Sequence, residues 1–195
     1  FRSGLAQAAS LGMRVLEACG WPWILLETVG IGQVEVEISG RADLVVVVLN
    51  PGWGDEIQAN KAGLMEVADI FVINKADRDG VAQTRRDIEG AIAARHGGHD
   101  IPVIETIATR GEGVPELWES IGRRHAALEA SGALAQRRAA RIASELESAA
   151  MASLRGRLSA VLATEQGDQL RARIAAGECG IHAAVSALLG TIIRD

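Results

Sequence analysis

Apolar residues within the first 128 positions follow two patterns. Short continuous apolar runs alternate with longer segments in which apolar positions recur every three or four residues. The first pattern is typical of buried strands and the second of amphipathic helices. The predicted strands are Trp23–Glu27, Leu44–Asn50, Ile70–Asn74 and Pro102–Thr106. The predicted helices are Leu5–Cys19, Asp55–Val67, Thr84–His96 and Val114–Leu128.

This alternation predicts an α/β fold, in which a three-layer arrangement places crossover helices on both faces of a parallel sheet. Continuous apolar character predicts that each strand is buried on both of its faces. Ligands of such open sheets bind beyond the carboxyl ends of the strands. We therefore expect the polar residues at the four strand ends to converge on one ligand-binding edge: Glu27, Asn50, Asn74 and Thr106.

The composition changes at Glu129 to Ala, Arg and Glu without a strand pattern, so we divide the chain into residues 1–128 and 129–195. The second part carries an apolar stripe at four-residue spacing, formed by Ile142, Leu146, Ala150, Leu154, Leu158 and Leu162. It predicts a long helix that begins at Ser131 or Gly132 and is followed by Gly167. Two shorter helices, Gln169–Ala176 and Ile181–Ile193, are predicted to close the chain. The stripe either packs on its own subunit or forms a dimerisation arm, which its length favours.

Composition and charge exclude several classes of partner. The net charge of -5 and the dispersed Arg residues argue against a nucleic-acid surface, which requires a basic face. The longest strongly apolar run, residues 44–49, is too short to cross a bilayer, so we predict no membrane partner. Cys19 and Cys179 lie far apart and form neither a disulfide framework nor a metal-binding pair. These features predict a cytoplasmic protein.

The tetrapeptide Asn74-Lys75-Ala76-Asp77 directly follows the apolar run 70–73 and is interpreted as a guanine-selecting loop. The Asp77 carboxylate can accept hydrogen bonds from both the ring N–H and the exocyclic amine of guanine, an edge that adenine lacks. Asn74 can hold the loop together and face the other base edge, while the Lys75 stem lies along the ring. Lys61 and Lys75 are the only lysines among 20 basic residues, which indicates that their positions matter.

Three further motifs fit a nucleotide site. Glu27-Thr28-Val29-Gly30 places an acid suited to Mg²⁺ three residues before a glycine that can meet a terminal phosphate. Residues 51–58 form a glycine-containing loop before a helix, and Asp55, Gln58 and Lys61 make it a candidate switch region. The loop after the fourth strand presents backbone amides around Ala108 to the guanine carbonyl oxygen.

Two further motifs follow the same order along the chain: Lys61-Ala62-Gly63 and Arg110-Gly111-Glu112-Gly113. Taken together, all these motifs resemble those of the GTPase chaperones of adenosylcobalamin-dependent methylmalonyl-CoA mutase. The resemblance spans about residues 1–130, and the tail resembles the dimerisation arm of that family. It implies a P-loop GTPase fold, GTP or GDP and Mg²⁺ as ligands, and a homodimer that gates cofactor loading and protects a cobalamin-dependent acyl-CoA mutase.

The resemblance also implies roles for individual residues. Glu27 would hold Mg²⁺ through water, and Gly30 would belong to the catalytic switch. Asp55, Gln58 and Lys61 would communicate with the mutase. Guanine would be read by Asn74, Lys75 and Asp77, with the amide of Ala108.

The chain departs from this family because it contains no phosphate-binding G-x-x-x-x-G-K-[ST] sequence. We expect the first strand and the phosphate loop to belong to an upstream part, and the 195-residue chain alone to be inactive. Two alternatives remain open: a metal-delivery GTPase, and a nucleotide-free module for dimerisation or interaction.

Overall fold

The computed structural model describes residues 2–28, 40–52, 67–94 and 101–192. Two compact units divide the chain, Phe1–Arg138 and Ala139–Asp195. Three strands and three helices are described in the first unit: α1 (Arg2–Ala18), β1 (Val46–Leu49), β2 (Ile70–Asn74), α2 (Val81–Ala93), β3 (Val103–Thr106) and α3 (Val114–Ala130). Helix α4 (Ala133–Leu162) begins in this unit and crosses into the second, which continues with α5 (Glu165–Ala175) and α6 (Ile181–Ile192). Within the described part of the chain, no helix is sufficiently long and apolar to span a bilayer.

The three strands form a parallel sheet in the order β1-β2-β3. Val46 pairs with Ile70 at one end, and Asn74 pairs with Thr106 at the other. The central strand is the core of the unit, with its first four residues buried, and Ile88 of α2 packs on the same cluster. This arrangement confirms the predicted α/β fold with a parallel sheet. It also brings the carboxyl ends of β2 and β3 side by side.

One predicted strand is absent. Residues 23–27 are described, but they form no strand and pair with no part of the sheet that the structure describes. The Trp23 ring instead packs edge-on against Trp118 of α3, with 4.9 Å between ring centroids, and 5.6 Å from the ring of His125. Leu25 is 85% exposed, so the apolar run here does not produce the two-sided burial that we predicted.

The prediction that each strand is buried on both faces is also wrong for β1. Val48 is 55% exposed although its neighbours Val47 and Leu49 are buried. Only β2, which has a strand on each side, meets the expectation along most of its length. A continuous apolar run therefore predicts burial on both faces correctly for the central strand but not for the outer strand β1.

A buried carboxylate fastens the beginning of α4 to the sheet. Asp69, 2% exposed, directly precedes β2 and accepts hydrogen bonds from the Val45 backbone N–H and from both terminal nitrogens of Arg137. The hydrogen bonds to Asp69 raise the pKa of Arg137 above its ordinary range, because they favour the charged guanidinium. Arg124 of α3 lies 3.7 Å from the same carboxylate. The neighbouring Arg138 pairs with Asp43 on the surface.

The long predicted helix begins as expected, after Gly132, but its end differs. Helix α4 stops at Leu162, and Gly167 lies inside α5 instead of following α4. The link between the two helices is only residues 163–164, and Thr164 occupies the N-cap position of α5. A Cβ atom at Gly167 would lie 2.5 Å from the Leu162 carbonyl oxygen. Glycine is therefore required here by the close approach of two helix backbones, not by a helix end.

Candidate functional site

Asn74, the last residue of β2, joins the two loops that follow β2 and β3. Its side-chain oxygen accepts a hydrogen bond from the Thr106 hydroxyl and another from the Ala108 backbone N–H, both at 3.1 Å. Because both acceptor positions of that oxygen are used, the amide nitrogen of Asn74 is left to donate to a ligand. The parallel pairing of Asn74 with Thr106 explains why the hydroxyl lies within reach.

The chain turns sharply at Lys75. This residue has φ 59°, in the left-handed region that non-glycine residues rarely adopt. The Ala76 N–H then donates to the Thr106 carbonyl, and the Arg78 N–H donates to the Lys75 carbonyl. The turn keeps the Lys75 side chain exposed at the edge of the sheet and brings Asp77 to the same surface.

Asp77 presents its carboxylate to solvent, with 41% of the side chain exposed. Within the described residues it accepts no hydrogen bond, and its ion-pair partner is Arg110, whose Nη2 lies 3.8 Å from Oδ2. That distance exceeds the range of a hydrogen bond, so the lone pairs of the carboxylate remain available. A carboxylate with available lone pairs can accept hydrogen bonds from two adjacent N–H groups.

The loop between β3 and α3 is held rigid by its own backbone. The Ile107 N–H donates to the Glu112 carbonyl, and the Arg110 N–H donates to the Ile107 carbonyl. Gly113 has φ 75°, and a Cβ atom there would lie 2.0 Å from the Glu105 carbonyl oxygen. Only glycine fits at this point, immediately before α3 begins.

The structure thus brings together part of the predicted site. Asn74, Lys75, Asp77 and Ala108 lie on the two adjoining loops at the carboxyl edge of the sheet. The Ala108 amide, which we expected to meet guanine, is engaged by Asn74. Glu27 is exposed at the end of the segment 23–27, which forms no strand. Gly30, Asp55, Gln58 and Lys61 lie outside the described residues.

Two residues acquire contacts that the motifs alone did not reveal. The Thr106 hydroxyl orients Asn74, and strand register would have been the signal for it. Arg110 faces Asp77 across the two loops, and no spacing rule connects residues on separate loops. Among the described residues, no three His, Cys, Asp or Glu side chains lie close enough together to hold a metal ion.

The parallel sheet and the helices packed on it have the fold of a P-loop GTPase, as a solved structure shows. The chain is similar to the crystal structure of an LAO/AO transport system kinase, with a TM-score of 0.67 and 29% identity, over 97% of this chain and 63% of the other. The profile of the family described as methylmalonyl Co-A mutase-associated GTPase MeaB matches residues 1–163. The chain therefore belongs to the MeaB family of GTPases.

Curated relatives that are named GTPases are also similar to this chain. A protein of Pyrococcus abyssi is 40% identical over 195 residues, covering 97% of this chain and 60% of its own length. The protein named GTPase ArgK of Escherichia coli is 38% identical over 68% of this chain and 42% of its own length. The mitochondrial methylmalonic aciduria type A homolog of Mus musculus is 33% identical over 69% of this chain and 34% of its own length. The chain thus spans between about a third and 60% of the length of these relatives.

Proposed function

We propose that this chain is the base-reading and partner-coupling part of a GTP-hydrolysing chaperone, which gates cofactor loading into a cobalamin-dependent acyl-CoA mutase and protects that enzyme. The observation that carries the proposal is that two groups lie at the same edge of the sheet: an Asn74 amide that Thr106 and Ala108 orient, and an accessible Asp77 carboxylate. Membership in a family associated with methylmalonyl-CoA mutase supports the choice of partner.

Guanine fits the residues at this edge. Asp77 accepts from the ring N–H and the amine of the base, and the Asn74 amide nitrogen donates to the opposite edge of the ring. The Lys75 stem covers the ring face. The Ala108 N–H reaches the guanine carbonyl oxygen only if it shares its hydrogen bond with Asn74, since the two are 3.1 Å apart here. GTP and GDP are therefore the proposed ligands.

Mg²⁺ in nucleotide sites is usually held by one or two carboxylates together with phosphate oxygens and water. The exposed carboxylate of Glu27 suits this role through a bridging water, and the ion would supply charge neutralisation for the phosphates. We assign Gly30 to the segment that senses the terminal phosphate. Asp55, Gln58 and Lys61 form the proposed switch that communicates with the mutase.

The 195 residues contain no G-x-x-x-x-G-K-[ST] sequence, so we expect their affinity for GTP to be weak. Backbone amides and the lysine of that loop supply most of the electrostatic stabilisation of a triphosphate. We therefore expect the chain alone to hold GTP through the base only, and to hydrolyse it at no measurable rate.

The experiment that tests this function compares two proteins. The 195-residue chain is titrated with magnesium GTP by calorimetry, and submicromolar binding would contradict the expected weak affinity. A longer protein that joins these residues to a phosphate-binding loop is assayed for GTP hydrolysis with and without its mutase. We expect the mutase to stimulate hydrolysis, because Gly30 is followed by Ile31 instead of a glutamine that could orient water. Unchanged turnover would count against the chaperone role.

A homodimer in the cytoplasm completes the proposal. Ile142, Leu146 and Leu154 of the α4 stripe are 57%, 70% and 43% exposed, which supports a second copy of this helix as their cover. Cys19 and Cys179 are both free thiols, as suits a reducing compartment.

A further inference from the structure

Arg110 is placed between two carboxylates that belong to different loops. Its Nη2 lies 3.8 Å from Oδ2 of Asp77, and its Nη1 lies 3.8 Å from Oε1 of Glu112. Asp77 is on the loop after β2, whereas Arg110 and Glu112 are on the loop after β3. The guanidinium therefore lies between two like charges that would otherwise repel each other.

The backbone that carries Arg110 is fixed. The Arg110 N–H donates to the Ile107 carbonyl, the Gly111 N–H donates to the Ala108 carbonyl, and Ile107 bridges to Glu112. The loop is in turn tied to Asn74 through Ala108. An arginine whose main chain is held in this way presents its guanidinium from a defined position, although its side chain is 60% exposed.

The distance of 3.8 Å is long for a hydrogen bond but short for an attraction between charges. Arg110 therefore attracts the carboxylate without using the lone pairs that guanine would need. A guanidinium that formed two hydrogen bonds with Asp77 would instead compete with the base.

We propose that Arg110 is a positioning residue for guanine recognition: it holds the Asp77 carboxylate in the orientation that accepts two N–H groups. The inference rests on the proposed function, because it assumes that Asp77 reads guanine. It adds a specificity-determining residue on the second loop, where base selectivity depends on a side chain that does not touch the base.

The test uses the 195-residue chain and two probes, GMP and IMP, followed by NMR chemical shifts of the backbone amides. IMP lacks the exocyclic amine, so it gives Asp77 one donor where GMP gives two. We expect the wild-type chain to bind GMP more tightly than IMP. Arg110→Ala should weaken GMP binding about three- to five-fold, the upper part of the range for a solvent-exposed ion pair, and should lower the ratio of the two affinities. Arg110→Lys keeps the charge and should recover most of the loss.

The matched control is Arg123→Ala on α3, which removes an arginine of similar exposure from its surface pair with Glu119. It should leave both affinities unchanged. High salt provides a second readout: at about 1 M, wild type and Arg110→Ala should converge, because charges at the surface are screened. Melting temperatures of all variants establish that each is folded.

The outcomes separate the two claims. If wild type binds GMP over IMP and Arg110→Ala keeps the same ratio, the role of Arg110 is refuted while the base site stands. If Arg123→Ala lowers the ratio equally, the effect of Arg110 is not positional. If wild type shows no preference for GMP over IMP, the guanine site itself fails, and the inference fails with it.

Discussion

The proposed guanine site makes Asp77 the residue on which the choice between purines should depend. Asp77→Asn replaces one acceptor oxygen by an amide donor, which suits xanthine because that base carries an oxygen in place of the guanine amine. We expect the variant to lose at least about ten-fold in affinity for GMP and to gain affinity for xanthosine monophosphate, since a mismatched polar edge leaves donors and acceptors unpaired in the complex. NMR titration of the 195-residue chain with both nucleotides measures the change.

The matched control is Asp79→Asn, which alters an exposed acid two residues further along. That variant should keep the wild-type preference. Guanine preference that survives in Asp77→Asn would show that another residue reads the base.

At the residue scale, the sequence indicated a candidate base-reading loop but not the contacts that support that loop. Asn74 and Asp77 were recognisable because a polar tetrapeptide follows a buried strand. The contact of Asn74 with Thr106 depends on strand register, and the contact of Asp77 with Arg110 depends on how two loops pack. Neither depends on spacing along the chain, so no periodicity could have indicated them.

At the element scale, the junction between α4 and α5 predicts that a side chain at Gly167 lowers the free energy of unfolding. Gly167→Ala would place a methyl group 2.5 Å from the Leu162 carbonyl oxygen, so backbone must move. We expect a loss of about 1–3 kcal/mol in the free energy of unfolding, the usual cost of overpacking. Denaturant unfolding followed by circular dichroism measures it.

Gly156→Ala in α4 is the control, because a Cβ atom there meets nothing within 4 Å. It should stabilise the helix by up to about 1 kcal/mol, since alanine has the higher helix propensity. Opposite signs for the two substitutions are expected. Equal effects would mean that α5 does not approach Leu162 as closely as the structure has it.

The sequence predicted a strand correctly where burial between two neighbouring strands alone determined its apolar residues. The bounds of β2 were correct because a strand between two others needs apolar residues throughout. The run at residues 23–27 has the same apolar character, but aromatic packing of Trp23 on α3 occurs there in place of strand pairing. Apolar character therefore did not distinguish a strand from an irregular segment whose tryptophan packs on a helix.

At the scale of the whole molecule, the proposed dimer depends on the exposed stripe on α4. The helix has 30 residues, which at 1.5 Å per residue extends about 45 Å, longer than a small unit needs for its own core. Ile142, Leu146 and Leu154 lie on one face at helical spacing and are exposed. Burying these side chains in an antiparallel or parallel pair of helices would remove them from water, which stabilises association.

Leu154→Asp tests this association because it places a charge in the proposed interface, where desolvation would oppose pairing. We expect wild type to sediment at twice the mass of the chain and Leu154→Asp to sediment as a monomer at the same concentration. Ser148→Asp adds the same charge on the opposite face of α4, where Ser148 is exposed, and should remain a dimer. A monomeric wild type, or a Leu154→Asp variant of unchanged mass, would remove the stripe as a dimer contact. Because the assay needs no nucleotide, its result does not depend on whether Asp77 reads guanine.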